Sequence, residues 1–192
     1  MTTESLASAV PATRTVTLRR ALAVALGATL VALAAQFEVI LPGSPVPETL
    51  QGGALLLVGL VLGPRLGAAA LVSYLVAGAA GLPVYSGGGV GVLHLFGPTG
   101  GYLFAFPVGA AVAGYVPTLK VNVAKPLLYF VGALAGMSVV HLGGWAWLSI
   151  VTGDPRAAFA MGVVPFGGTD LTELVLATGL GLGLGGRIRR VL

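Results

Sequence analysis

The chain has 192 residues, of which 56% are hydrophobic and only 8% charged, and its mean hydropathy is +0.99. A soluble domain carries roughly 25% charged residues to hydrate its surface, so this composition excludes a water-soluble globular fold and points to the bilayer as solvent. At roughly 25–30 residues per spanning helix with its turn, the length holds about six or seven spans and leaves no room for a nucleotide-binding or catalytic domain. Cysteine is absent, which excludes disulfides, thiolate chemistry and Cys-ligated metals.

Residues 1–18 are polar and small, without an apolar period, and read as a flexible cytoplasmic tail before a transmembrane domain over 19–192. A first apolar run covers 21–41 and ends at Pro42-Gly43-Ser44-Pro45. A second, 50–62, stops at Gly63-Pro64-Arg65, and a third, 66–80, at Gly81-Leu82-Pro83. The glycine-rich stretch 86–101 leads into a fourth run over 102–116. A polar turn over 117–125 precedes the fifth run, 126–150, and a loop over 151–168 precedes the sixth, 170–186. A cleaved signal peptide is the rival account of the first run, but its removal leaves five spans and spoils the charge pattern described next.

Six spans put both termini on one side. Arg14, Arg19, Arg20, Arg65, Lys120, Lys125, Arg187, Arg189 and Arg190 then share that side, nine of the ten cations, with Arg156 opposite. Glu38, Glu48, Asp154, Asp170 and Glu173 fall on the other side, and Glu4 does not. By the positive-inside rule the basic face is cytoplasmic. The expected fold is an all-α membrane protein with six transmembrane helices and both termini cytoplasmic, in a bacterial or archaeal cytoplasmic membrane. The basic charge is a topology signal, which removes nucleic acid as a partner.

Ala21, Ala25, Ala28 and Ala32 recur at helical spacing, so another helix can approach closely along them. A partner subunit and another span of the same chain both fit that spacing. After the first external loop, Thr49 can cap the second helix, and Gln51 in its first turn is either a snorkelling amide or part of a hydrogen-bonding wall. Gly97-Pro98-Thr99-Gly100-Gly101-Tyr102 is a tight turn or a place where backbone approaches a ligand, and it lacks the Gly-Lys-Ser/Thr ending of a P-loop. Asp170 and Glu173, three apart, share a helix face; they read as a near-capping-box or as functional acids near a span. His94 and His141 read as packing residues and form no metal constellation with the acids.

Four segments, taken in order, resemble the BioY family, the biotin-specific S components of energy-coupling-factor (ECF) importers. They are Pro45-Val46-Pro47-Glu48-Thr49-Leu50-Gln51, Leu62-Gly63-Pro64-Arg65-Leu66-Gly67, Tyr74 with Gly78-Ala79-Ala80-Gly81-Leu82-Pro83-Val84-Tyr85, and Gly97-Pro98-Thr99-Gly100-Gly101-Tyr102. The resemblance implies a six-helix S-component bundle with a pocket that opens outward and is closed by the first external loop. It implies docking on an EcfT-like transmembrane subunit through Ala21, Ala25, Ala28 and Ala32, with ATP hydrolysis left to partner ATPase subunits and no cofactor or metal of its own. Loaded S components in such systems would topple within the membrane. The ligand, biotin or a related small molecule, would meet Asp170, Glu173, Thr49, Gln51, Tyr85, Gly100 and Tyr102. Asp170 would accept from the ureido N–H groups.

The family pattern places a Lys three residues after that Asp, where this chain has Glu173. Arg156, the one outward cation, is the candidate substitute for holding a carboxylate. An S component for a different small vitamin or a biotin precursor is the alternative. A rhomboid-like intramembrane protease is a remote one, because Ser73, Ser86 and Ser138 lack the Gly-x-Ser-Gly context that chemistry needs.

Overall fold

The computed structural model describes residues 12–192, with side chains from Thr15 onward. Glu4, the Arg14 side chain and residues 1–11 of the expected tail lie outside the described residues. Helix α1 runs Ala12–Ala34, so positions 12–18 belong to the first helix rather than to a tail. Its Ala- and Leu-rich composition favours helix throughout. It ends seven residues short of the expected boundary at 41, because the chain then turns into a hairpin.

That hairpin departs from the all-helical expectation: β1 (Glu38–Val39) and β2 (Glu48–Thr49) pair antiparallel, with Val39 opposite Glu48. Pro42, Pro45 and Pro47 fix φ and disfavour helix before them, which leaves this loop extended. Helix α2 (Gln51–Leu62) follows, and Gly63 with φ +83° separates it from Pro64 at the start of α3 (Pro64–Ala79). A left-handed glycine at the helix end followed by proline in the next first turn is what makes so tight a reversal possible. Two short 3-10 turns occupy the glycine-rich stretch before α4 (Gly100–Tyr115). Then come α5 (Lys125–Thr152), α6 (Pro155–Gly162) and α7 (Gly167–Ile188).

The expected loop over 151–168 therefore contains a helix of its own. Asp154 is its N-cap, accepting from the backbone N–H groups of Arg156 (2.8 Å) and Ala157 (3.2 Å), with Pro155 in the first turn. The helix is short and amphipathic, which is why hydropathy alone reads the segment as a loop.

Among the described residues, four segments are long and apolar enough to cross a membrane: Thr15–Ala34, Gly100–Thr118, Lys125–Thr152 and Pro155–Ile188. Helices α2 and α3 are apolar but shorter. Helix α2 sits at the centre, packed against α1, α3, α4, α5 and α7, with Leu55, Leu56 and Leu60 fully buried. Helices α4 and α5 meet backbone to backbone. A Cβ on Gly109 would lie 2.9 Å from the Gly136 carbonyl oxygen, and one on Gly136 would lie 2.6 Å from that of Gly109. Such contact is the attraction available where lipid removes the hydrophobic drive between helices.

Helix α1 is peripheral. Val31 and Ala35 are buried, whereas Leu18, Leu22, Leu26, Leu30 and Leu33 stay exposed. Arg20 donates to the Leu192 carbonyl (2.8 Å), and Arg189 donates to the Leu60 carbonyl (2.8 Å) and the Tyr129 hydroxyl (2.7 Å). The arginines thus gather at one end of the bundle together with the start of α1 and the C-terminus. Glu38, Glu48, Asp170 and Glu173 gather at the other.

Candidate functional site

At the acidic end a cavity of about 80 Å³ lies between the hairpin loop and four helices. Val46, Pro47, Glu48 and Thr49 form one wall, and the loop that carries them is pinned to α6 by the Ser44 hydroxyl, which donates to the Met161 carbonyl (2.8 Å). Helix α2 adds Gln51 and Gly52, α4 adds Tyr102, Leu103 and Phe106, and α5 adds Met137, Val140 and His141. Phe166, Asp170 and Glu173 close the remaining side, with Ser86 and Thr99 at the edge.

The polar lining is held in fixed orientations. The Gln51 amide donates to the Tyr74 hydroxyl (2.6 Å), and its carbonyl oxygen accepts from the Thr49 hydroxyl (3.2 Å). Thr49 in turn accepts from the Gln51 backbone N–H (3.3 Å), so it anchors the start of α2 although Leu50 occupies the cap position. His141 Nε2 lies 2.8 Å from Asp170 Oδ2. An ionised carboxylate has only acceptors, so Nε2 must carry the proton in that bond. In the neutral imidazole, Nδ1 is then a free acceptor. The pair is walled by aromatic rings, Tyr102 edge-on at 6.3 Å and Phe166 stacked at 6.1 Å.

Glu173 lies against Gly52 and Gly53; a Cβ on Gly53 would come 3.2 Å from both Cβ and Cγ of the glutamate. Only the absence of side chains there admits the acid between α2 and α7. Glu48 reaches the cavity from the hairpin, and burial pushes its carboxyl above the ordinary carboxylate range while hydrogen bonding with Thr169 pulls the other way. The lining therefore offers three carboxylates and one imidazole, a set built to accept N–H donors. Among the described residues no cluster of His, Asp and Glu could hold a metal ion.

The model of the BioY family matches residues 7–190. The chain belongs to the BioY family. The probable biotin transporter BioY of Pyrococcus horikoshii is 38% identical over 154 residues, covering 80% of this chain and 88% of that protein. The biotin transporter BioY of Thermotoga maritima is 39% identical over 144 residues, covering 75% and 83%. A solved structure, the S-component for biotin from an ECF-type ABC transporter, matches with a TM-score of 0.80 over 90% of this chain and 93% of that one. At 22% identity it shows a shared fold.

Of the residues expected at the site, this BioY chain brings Thr49, Gln51, Tyr102, Asp170 and Glu173 to the cavity wall. Tyr85 is not there. It is fully buried behind the wall, its hydroxyl donating to the Leu75 carbonyl (2.7 Å) and its ring stacked on His94 at 4.8 Å. Its own partial burial holds the His94 imidazole below its usual pKa. Gly100 is a packing position: a Cβ there would run into the Leu95 carbonyl and come within 3.3 Å of Trp147 Nε1. Arg156 stands exposed in the first turn of α6 and does not line the cavity.

The near-capping-box is not formed either, because Phe166 holds the cap position of α7 and Asp170, later in the first turn, meets His141 instead. The missed groups are His141, set aside as packing, and Glu48. For Glu48 a signal existed, since an acid directly after Pro47 in an extended segment must project from the loop. For His141 none did.

The small-residue stripe divides. Ala28 and Ala32 pack against the core, and Gly27 closes on Ala70, whereas Ala21 and Ala25 remain exposed. Tyr102 joins α4 to the end of α6 through its hydroxyl, which donates to the Gly162 carbonyl. Tyr102→Phe removes that bond alone and is expected to lower stability by about 1 kcal/mol, read as a lower thermal midpoint in detergent. An unchanged midpoint would show the bond makes no net contribution.

Proposed function

We propose that this chain is the biotin-binding S component of an ECF-type vitamin importer, capturing its ligand at the outer face for uptake driven by partner ATPase subunits. The observation that carries the reading is the Asp170–His141 pair, at 2.8 Å, in a cavity roofed by the first external loop of a BioY-family chain. A ureido ring offers two N–H donors, and an oriented carboxylate with a free oxygen is their natural acceptor. The named relatives, biotin transporters at 38% and 39% identity, support the same ligand.

In this reading α1 to α5 and α7 are the six spans, with α2 and α3 the two shortest. The arginine-rich end faces the cytoplasm by the positive-inside rule, and the meeting of α1 with the C-terminus at that end supports termini on one side. The protein is a binding subunit rather than an enzyme. Native mass spectrometry of the detergent-purified protein is expected to show co-purified biotin. A protein that arrives empty and ignores biotin at micromolar concentration would sink the assignment.

Ala21 and Ala25, exposed on α1, form the surface proposed for an EcfT-like subunit, since small residues let a partner helix approach closely. Ala25→Trp is expected to abolish co-purification with that subunit while ligand affinity stays within about twofold. Intact complexes would count against this face.

A further inference from the structure

Helix α3 buries Leu71, Tyr74 and Gly78 on one face, at helical spacings of three and four. Tyr74 is 1% exposed and does not line the cavity. A phenylalanine would fill the same space with no polar group to satisfy, so a buried hydroxyl here calls for a partner. Among the described residues that partner is Gln51, whose side-chain amide donates to it at 2.6 Å.

Gln51 does line the cavity, and its amide is held at both ends: the nitrogen on Tyr74, the carbonyl oxygen by the Thr49 hydroxyl (3.2 Å). A primary amide has two N–H donors and two acceptor lone pairs. One of each is used, which leaves one N–H and one lone pair for a ligand. A mobile glutamine loses rotamer freedom when it meets a ligand, whereas a clamped one has lost it already on folding. The Tyr74 ring is itself fixed from behind. Tyr85 meets it edge-on at 5.6 Å and is anchored by its hydroxyl on the Leu75 carbonyl (2.7 Å) and by the Gln36 amide on its own carbonyl (3.3 Å). We propose that Tyr74 is a positioning residue for ligand capture: it does not touch the ligand, and its hydroxyl holds the Gln51 amide ready for the ligand's polar groups. The inference rests on the cavity being the biotin site.

The test is isothermal titration calorimetry of the full chain in detergent with biotin, alongside a thermal melt without ligand. Tyr74→Phe is expected to keep a monodisperse, folded protein and to bind biotin about fivefold more weakly, the size of one neutral hydrogen bond. In a Gln51→Leu background, and in Gln51→Asn, whose shorter amide does not reach Tyr74, the same substitution is expected to change affinity less than about twofold. Gln51→Leu also leaves the Tyr74 hydroxyl buried without its partner, so adding Tyr74→Phe is expected to raise the thermal midpoint of that variant. Wild-type affinity in Tyr74→Phe, or a full fivefold loss repeated in either background, would overturn the proposal and leave the S-component reading standing. A Tyr74→Phe protein that no longer folds would make the hydroxyl structural and overturn it too. A wild-type chain that binds no biotin would overturn the ligand reading itself, and this inference with it.

Discussion

Asp170→Asn is expected to weaken biotin binding by roughly 10- to 100-fold while leaving the protein folded. The wild-type carboxylate accepts from His141 with one oxygen (2.8 Å) and keeps the other for the ligand. Asparagine retains one acceptor, loses the charge and turns an N–H group toward a site that needs acceptors. Hydrogen bonds to charged groups contribute about 1.5–3 kcal/mol each, which is the stated range in Kd. The fold should survive because the Asp170 side chain is 18% exposed and stands at the cavity wall rather than in the core. Calorimetry gives Kd and a thermal melt checks folding. An unchanged Kd with an unchanged melt would remove Asp170 from the ligand site.

The second large effect is on the scaffold. Gly59→Val is expected to abolish the folded protein, at a cost above about 3 kcal/mol. A Cβ at Gly59 would overlap the Ala110 carbonyl oxygen and lie 3.0 Å from the Ala110 Cα, while a Cβ on Gly67 of α3 would lie 3.0 Å from the Gly59 Cα. Helices α2, α3 and α4 thus converge on one residue with backbone against backbone, and no rotamer change can relieve the overlap. Size-exclusion chromatography in detergent reads the outcome as loss of the monodisperse peak. Gly179→Ala, where a Cβ meets nothing within 4 Å, should leave the peak and the midpoint unchanged or raise the midpoint slightly. Equal tolerance at both sites would show that the close approach does not limit packing.

These two positions mark what was legible in the sequence and what was not. Asp170 stood out because an ionisable group near a span is costly, yet its partner did not, since His141 is 29 residues away on another helix. Gly59 is one of 31 glycines, and nothing local sets it apart from Gly179. The same holds among the expected ligand contacts. Tyr85 lies in a segment that resembles the family, but its ring turned inward to fill the space that Gly78 leaves, where a Cβ would collide with it. The outward Arg156 is held away from the cavity by the helix that Asp154 caps, although the Asp-Pro pair that starts α6 was readable as a helix start.

Hydropathy, the placement of prolines and the segregation of charge act along the chain over one helix at a time. From them alone came the membrane class, the apolar runs, the separation of a basic end from an acidic one and, through four ordered segments, the family. Which acids share a cavity was decided only in three dimensions. Rotation of each helix about its own axis follows from backbone contacts between distant glycines, such as Gly109 with Gly136. Packing of the hairpin, α5 and α7 around α2 then brings Glu48, Asp170, Glu173 and His141 to the wall of one cavity.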